Sequence, residues 1–351
     1  MVPVLALVLL AATWGSKPGA IVLVLVGAAL AGSVLAAVHH AEVIAARVGE
    51  PFGSLVLAVA VTVIEVGLIV TLMVSAGGDG DSTLARDTVF AAVMITCNGI
   101  VGISLLVAAL RDGVATFRAE ASATSLATVA TLATLTLVLP TFTTTTPGPE
   151  FSSSQLAFAG VASLTLYLLF VFVQTVRHRD YFLPEGADAA DPSAHAEPPS
   201  DRETLVSLGL LLAALVAVVG LAKIETPAIE DVVEALGAPE SAVGVVIALL
   251  VLMPETLAAV RNARRGRVQV SLNLAFGSAM ASIGLTIPVL AVASIWLDPA
   301  LILGLDSTEL VLLVITVVIG AMTAPLGSAT LQQAGLRLVL FAAFLFLAVV
   351  P

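Results

Sequence analysis

Eleven apolar segments, joined mostly by short polar loops, set what this chain can fold into. They run roughly over 4–14, 20–38, 53–74, 88–110, 122–142, 155–176, 205–221, 241–260, 272–296, 310–324 and 331–350. Backbone surrounded by hydrocarbon must satisfy its own hydrogen bonds, so such segments span as helices or as a closed barrel. About 20 apolar residues suit a helix crossing a bilayer. The 351 residues are 59% hydrophobic and only 11% charged, against about 25% charged in soluble domains. The expected fold is therefore an all-α polytopic membrane protein of about 11 transmembrane helices, with the lipid bilayer as its main partner.

Charge excludes several classes. The net charge of −11 sits mainly in loops, and no basic patch with interleaved aromatics is present, so no nucleic-acid partner is expected. Cys97 is the single cysteine, which excludes a disulfide within the chain and a cysteine metal site. The first segment lacks a basic n-region and reads as a short retained span rather than a signal peptide. Lys and Arg set the expected orientation. Loops after even-numbered segments hold ten of them, Arg47 and Arg264 included, and loops after odd-numbered segments hold three, Lys17, Arg86 and Lys223. The even side is expected to be cytoplasmic, with the N-terminus inside and the C-terminus outside.

The one long loop, residues 178–202, is rich in Asp, Glu, Pro and Ala and has the make-up of a disordered linker. It divides the chain into an N-terminal membrane half (1–177) and a C-terminal half (203–351). Each half carries one carboxylate inside an apolar segment, Glu65 and Glu255. An ionisable group at mid-depth costs roughly 2.5 kcal/mol or more and points to function. Pro51 lies 14 residues before Glu65, and Pro239 lies 16 before Glu255. Each carboxylate segment is followed by one bearing Asn and Gly: Asn98 and Gly102 in about 53–110, Asn273, Gly277 and Gly284 in about 241–296. The two carboxylate segments are expected to run in opposite directions. That is an inverted repeat, a plan that places transport sites between the repeats near the midplane.

Two carboxylates with neutral oxygens suit a hard cation. Thr62, one turn before Glu65, and Asn98, Asn273, Ser278 and Ser282 on the following segments are candidate donors. Burial and a neighbouring carboxylate favour the neutral form of a carboxylic acid, whereas a bound cation favours the ionised form. One pair can thus hold protons or a cation but not readily both, and with alternating access that competition is antiport. Pro254 frees a carbonyl one turn earlier, near Leu250. His40 and Glu50, at the junction of the second and third segments, are candidates for a proton path or pH sensing, since His titrates near neutrality. Glu309 reads as a solvated residue. No cofactor is expected; the ions would be cargo. A passive channel needs a continuous polar pore, and this chain offers isolated polar residues. No Gly-x-Gly-Asp pair, Gly-x-Ser-x-Gly elbow or His/Cys zinc set supports an intramembrane enzyme.

The stretches HAEVIAARVGEPFGSLVLAVAVTVIEVGLIVTLM, ARDTVFAAVMITCNGIVGISLL and LLVLMPETLAAVRNARRGRVQVSLNLAFGSAMASIGLTIP closely resemble the ChaA-type calcium/proton antiporters. These form part of the cation/proton exchanger branch of the calcium/cation antiporter superfamily. The resemblance covers nearly the whole chain. It implies two inverted five-helix repeats plus an extra N-terminal helix, and exchange of Ca2+, Na+ or K+ against H+ at two membrane-embedded glutamates, matched here by Glu65 and Glu255. Many exchangers have Gly-Asn ahead of each glutamate. Here Val61-Thr62-Val63-Ile64 and Leu252-Met253-Pro254 stand there, so the ion stays open among the three.

Overall fold

Each apolar segment becomes helix, because only helix satisfies its backbone without water. The computed structural model describes residues 1–16, 18–49, 52–75, 83–182, 199–235, 237–239, 241–295 and 301–351. In chain order the helices are α1 (Val2–Thr13), α2 (Ala20–Val48), α3 (Phe52–Ser75), α4 (Leu84–Met94), α5 (Val101–Asp112), α6 (Ala119–Ala133), α7 (Leu139–Phe142), α8 (Ser153–Phe172), α9 (Asp201–Ala235), α10 (Ser241–Val251), α11 (Met253–Arg264), α12 (Val268–Ala293), α13 (Ser307–Thr323) and α14 (Leu331–Val349). Wide π-helical turns at Ile95–Ile100 and Thr134–Val138 join α4 to α5 and α6 to α7, and a third, Val173–Arg177, extends α8. Side-chain caps start several helices: Ser152 with Gln155, Asp306 with Glu309, and Thr330 with Gln333 form reciprocal capping boxes.

Among the described residues, eight helical stretches are long and apolar enough to cross a bilayer, and the bent pair α10–α11 makes nine. Eleven crossings were expected. The 12 residues of α1 rise only about 18 Å, short of the ~30 Å hydrocarbon layer, whereas α3, 24 residues long and apolar but for its hydroxyls and Glu65, has the length to cross as well. Two helices outrun the hydropathy signal. α2 continues through His39 and His40 to a glycine stop, Gly49 at φ 75, whose N–H bonds to the Ala45 carbonyl. α9 runs 35 residues, through Pro227.

Loops tie the bundle at both ends. On one end, here the near face, β1 (Ala115–Thr116) pairs antiparallel with β2 (Ser328–Ala329). There Arg111 Nη1 donates to the Arg264 carbonyl at 2.9 Å, and the Arg118 N–H donates to Gln269 Oε1 at 2.7 Å beside the start of α12. At the far face, where α12 ends and α13 begins, the Gly304 and Leu305 N–H groups donate to the carbonyls of Pro149 and Leu137, both at 2.9 Å.

The halves are arranged as opposites. α3 leads to α4, which begins at the far face, where Arg86 Nη1 reaches the Gly304 carbonyl. α10 begins beside that same end of α4, and α11 finishes at the near face. α3 and α10–α11 therefore run antiparallel, as the inverted repeat requires. Helix pairing repeats accordingly: α8 packs on α12, and α14 packs on α5 and the Ile95–Ile100 turn. Each pairing uses a glycine. A Cβ on Gly284 would lie 2.6 Å from Tyr167 Cβ, and one on Gly102 would lie 3.0 Å from Leu338. Two hydrophobic clusters result. One draws on α1, α2, α9 and one side each of α3 and α10; the other draws on α4 to α6, α8 and α11 to α14, with the opposite sides of α3 and α10.

Gly284→Val is expected to force α8 off α12 and cost about 1–3 kcal/mol through overpacking. A lowered melting temperature of the purified protein in detergent checks this.

Candidate functional site

A cavity of about 330 Å³ lies between α3, α8, α11 and α12. α3 contributes Thr62 and Glu65, which share one helical face because they are three residues apart. α12 contributes Asn273, Ser278 and Ser282, of which Ser278 and Ser282 share one helical face. Val270 and Gln174 line the end of the cavity toward the near face, where α12 starts and α8 ends. Both carboxylates are buried, Glu65 at 5% and Glu255 at 9% exposure.

Glu255 arrives by a break in its helix. α10 and α11 bend by 50° at Leu252, and Met253-Pro254-Glu255 open α11. Proline fits a first turn, where its missing N–H would have no partner anyway. Glu255 thereby sits at a helix N-terminus, whose dipole stabilises a carboxylate. One of its oxygens, Oε2, is buried with no hydrogen-bond partner among the described residues. Glu65 is held differently. Ser282 Oγ donates to Glu65 Oε1 at 2.5 Å across the cavity. The charges that act on Glu255 come from Glu65 and from Glu42 on α2. Two carboxylates with the hydroxyls of Thr62, Ser278 and Ser282 make an all-oxygen donor set, the kind that suits hard cations. No group of three or more His, Cys, Asp or Glu that could hold a metal occurs among the described residues.

Six of the expected site residues therefore share one cavity: Thr62, Glu65, Glu255, Asn273, Ser278 and Ser282. Asn273 has a further task, since its Nδ2 donates to the Phe182 carbonyl at 2.6 Å and its Oδ1 accepts from Gln269 at 2.7 Å. Asn98 is not among the residues lining this cavity: it sits in the Ile95–Ile100 turn, its Nδ2 donates to Thr316 Oγ1 at 2.8 Å, and its Oδ1 is buried with no hydrogen-bond partner among the described residues. The wider π turn changes the helical register, so an equivalent place in the sequence does not give an equivalent direction. His40 is not part of the cavity lining; its Nδ1 lies 3.4 Å from Ser207 Oγ on α9. Glu50 lies outside the described residues. Glu309 is a correction: its side chain is only 19% exposed, and Oε2 lies 3.7 Å from Arg86 Nε. Tyr167 and Gln174 line the cavity and were missed. Gln174 was legible as an amide inside an apolar segment; Tyr167 needed the packing of α8 on α12.

A profile of the sodium/calcium exchanger protein family matches residues 18–176 and 206–350. The chain belongs to that family. Among relatives of this exchanger, a protein named as an ionic transporter, y4hA of Sinorhizobium fredii, is 46% identical over 332 residues, covering 94% of this chain and 89% of its own. The sodium-potassium/proton antiporter ChaA of Escherichia coli is 34% identical over 348 residues, 98% and 93% of the two chains. The solved structure of native YfkE superposes with a TM-score of 0.70 at 17% identity, covering 99% and 97% of the chains. The H+/Ca2+ exchanger CAX gives 0.67 at 15% identity, covering 98% and 86%. These structural likenesses establish a shared fold across both halves of the exchanger.

Asn98→Ala is expected to cost about 1 kcal/mol by removing the amide donor to buried Thr316, whose hydroxyl keeps its bond to the Leu312 carbonyl. It should lower the melting temperature while the thermal shift caused by added cation is retained.

Proposed function

We propose that this exchanger is a secondary transporter that trades a cytoplasmic cation for protons, with Glu65 and Glu255 as the alternating carriers of both. One observation carries the reading: two buried carboxylates from oppositely running helices line one cavity. Glu65 has a hydroxyl donor and Glu255 a free oxygen, so the site has room for an incoming cation without first breaking a carboxylate pair. A cation entering from the near-face end meets Gln174 and Asn273, then the hydroxyls, then the carboxylates. Its charge displaces their protons; protons arriving from the other face displace the cation.

The near face is read as cytoplasmic, because Arg111, Arg118, Arg177, Arg261, Arg264, Arg265 and Arg267 lie at that end. This gives an N-terminus inside and a C-terminus outside, in a bacterial inner membrane. The segment 178–202 is a cytoplasmic connector between the two membrane halves. Three ions fit the donors: Ca2+, Na+ and K+. The absence of Gly-Asn steps before Glu65 and Glu255, together with the likeness to a sodium-potassium/proton antiporter, favours Na+ or K+ as the second reading.

Everted vesicles with an acid interior, followed by a pH-sensitive dye, test the reading. Adding Ca2+, Na+ or K+ is expected to collapse the gradient for at least one ion; no response to any of them, from pH 6.5 to 9 (roughly the span over which proton competition changes), sinks it. Glu65→Gln and Glu255→Gln are each expected to abolish exchange while membrane insertion is unchanged. Ser282→Ala removes a donor to a charged group, roughly 1.5 kcal/mol, and should slow exchange about tenfold.

A further inference from the structure

The cavity has four helical walls, and the antiporter reading takes its carboxylates and hydroxyls from three of them, α3, α11 and α12. The fourth wall, α8, carries a hydroxyl that this reading leaves without a task. We propose that the Tyr167 hydroxyl is a ligand of the transported cation, which makes α8 a fourth ligand-bearing helix. The inference rests on the antiporter reading and adds one residue to its site.

Depth and direction both place it there. A Cβ on Gly284 would lie 2.6 Å from Tyr167 Cβ and 3.0 Å from Tyr167 Cγ, so Tyr167 is seated in the notch that Gly284 leaves. Gly284 is two residues beyond Ser282, about 3 Å of helix rise, and Ser282 is the residue that reaches Glu65. Tyr167 therefore stands at the level of the Glu65 carboxylate rather than at the near-face end. Tyr167, Phe170, Val171 and Gln174 all line the cavity, and their spacing is that of a single helical face. That face is held against α12 at both ends. The notch fixes the deep end. At the near-face end, Phe182 sets its ring edge-on to Phe170, centroids 5.8 Å apart, and its carbonyl accepts from Asn273 Nδ2 on α12.

The hydroxyl itself is the unexplained group. Tyr167 is only 3% exposed, lines the cavity, and has no hydrogen-bond partner among the described residues. A buried hydroxyl left unpaired is costly. Packing does not call for it, since Phe170 on the same wall fills its place with a bare ring. Glu255 Oε2, on the wall of the same cavity, also lacks a partner. A hydroxyl has one O–H to donate and two lone pairs. Beside a protonated carboxyl it accepts the acid's O–H. Beside an ionised carboxylate and a cation it donates its own O–H to the carboxylate and turns a lone pair to the ion. Hard cations take neutral oxygens of this kind together with carboxylates. Rotation about one C–O bond thus suits the same group to the proton-loaded and the cation-loaded site, with no movement of α8.

Tyr167→Phe in the full-length exchanger tests this, because it removes the oxygen and keeps the ring in its notch. Parent and variant are reconstituted in vesicles, and exchange is followed for whichever of Ca2+, Na+ and K+ the parent carries. The half-saturating cation concentration is expected to rise about tenfold, roughly the worth of one bond to a charged group. The melting temperature without cation should be unchanged, and the rise in melting temperature that the cation causes should shrink. A tyrosine that serves packing alone gives the opposite pattern, a lowered cation-free melting temperature with the half-saturating concentration unmoved. That pattern overturns the proposal, as does a variant indistinguishable from its parent, and either leaves the antiporter reading intact. A parent that exchanges none of the three ions overturns that reading instead. The thermal shift then judges Tyr167 alone: a cation that protects the parent and not Tyr167→Phe upholds the ligand, and one that protects both equally, or neither, overturns it.

Discussion

A carboxylate cannot sit in a hydrocarbon layer without compensation, and the rest of this molecule follows from meeting that condition twice. Glu65 and Glu255 each cost several kcal/mol at depth. Among the described residues neither has a salt bridge, which would fix its state. Glu65 receives one hydroxyl hydrogen bond, from Ser282. Glu255 is placed at the start of α11, where backbone N–H groups supply a fixed positive end. Both arrangements leave oxygen lone pairs facing the cavity. A proton or a cation can therefore complete the site, and the protein itself does not.

Regular helix alone would not have given this geometry. The helix that carries Glu255 breaks at Leu252, one residue before Met253-Pro254. The helix opposite, α4 to α5, swells into a π turn at Ile95–Ile100. Such turns leave backbone carbonyls without their usual partner. Buried Arg337 takes one up: its Nη1 donates to the Cys97 carbonyl at 2.7 Å. Its neighbours Gly99 and Gly102 let α14 lie close, so the guanidinium stays inside the bundle rather than in lipid. Irregular backbone is tolerated at this depth only where protein or an aqueous cavity covers it.

Much of this was legible in the chain. Apolar runs located the helices, since hydropathy is a local property. Glu65 and Glu255 stood out because their environment contradicts their chemistry. Ser278 and Ser282 could be named together as donors because four residues make about one turn, whereas the meeting of Ser282 with Glu65 needed the packing of α12 on α3. Asn98 pointed elsewhere because the π turn shifts every later side chain, and no residue type announces such a turn. Glu309 looked solvated because it stands at a helix start, yet Arg86, more than two hundred positions away, folds onto it. Tyr167 entered the cavity only because Gly284 lets its backbone approach.

By itself, then, the sequence determined that the chain is helical and membrane-embedded, that it has two related halves, and which carboxylates are costly enough to matter. Those are consequences of solvent and of local periodicity, which each segment carries alone. Only the tertiary structure decided that the two carboxylates share one cavity and that Glu309 lies against Arg86. Those depend on where separate helices bend, slip and touch, and no single segment contains that information.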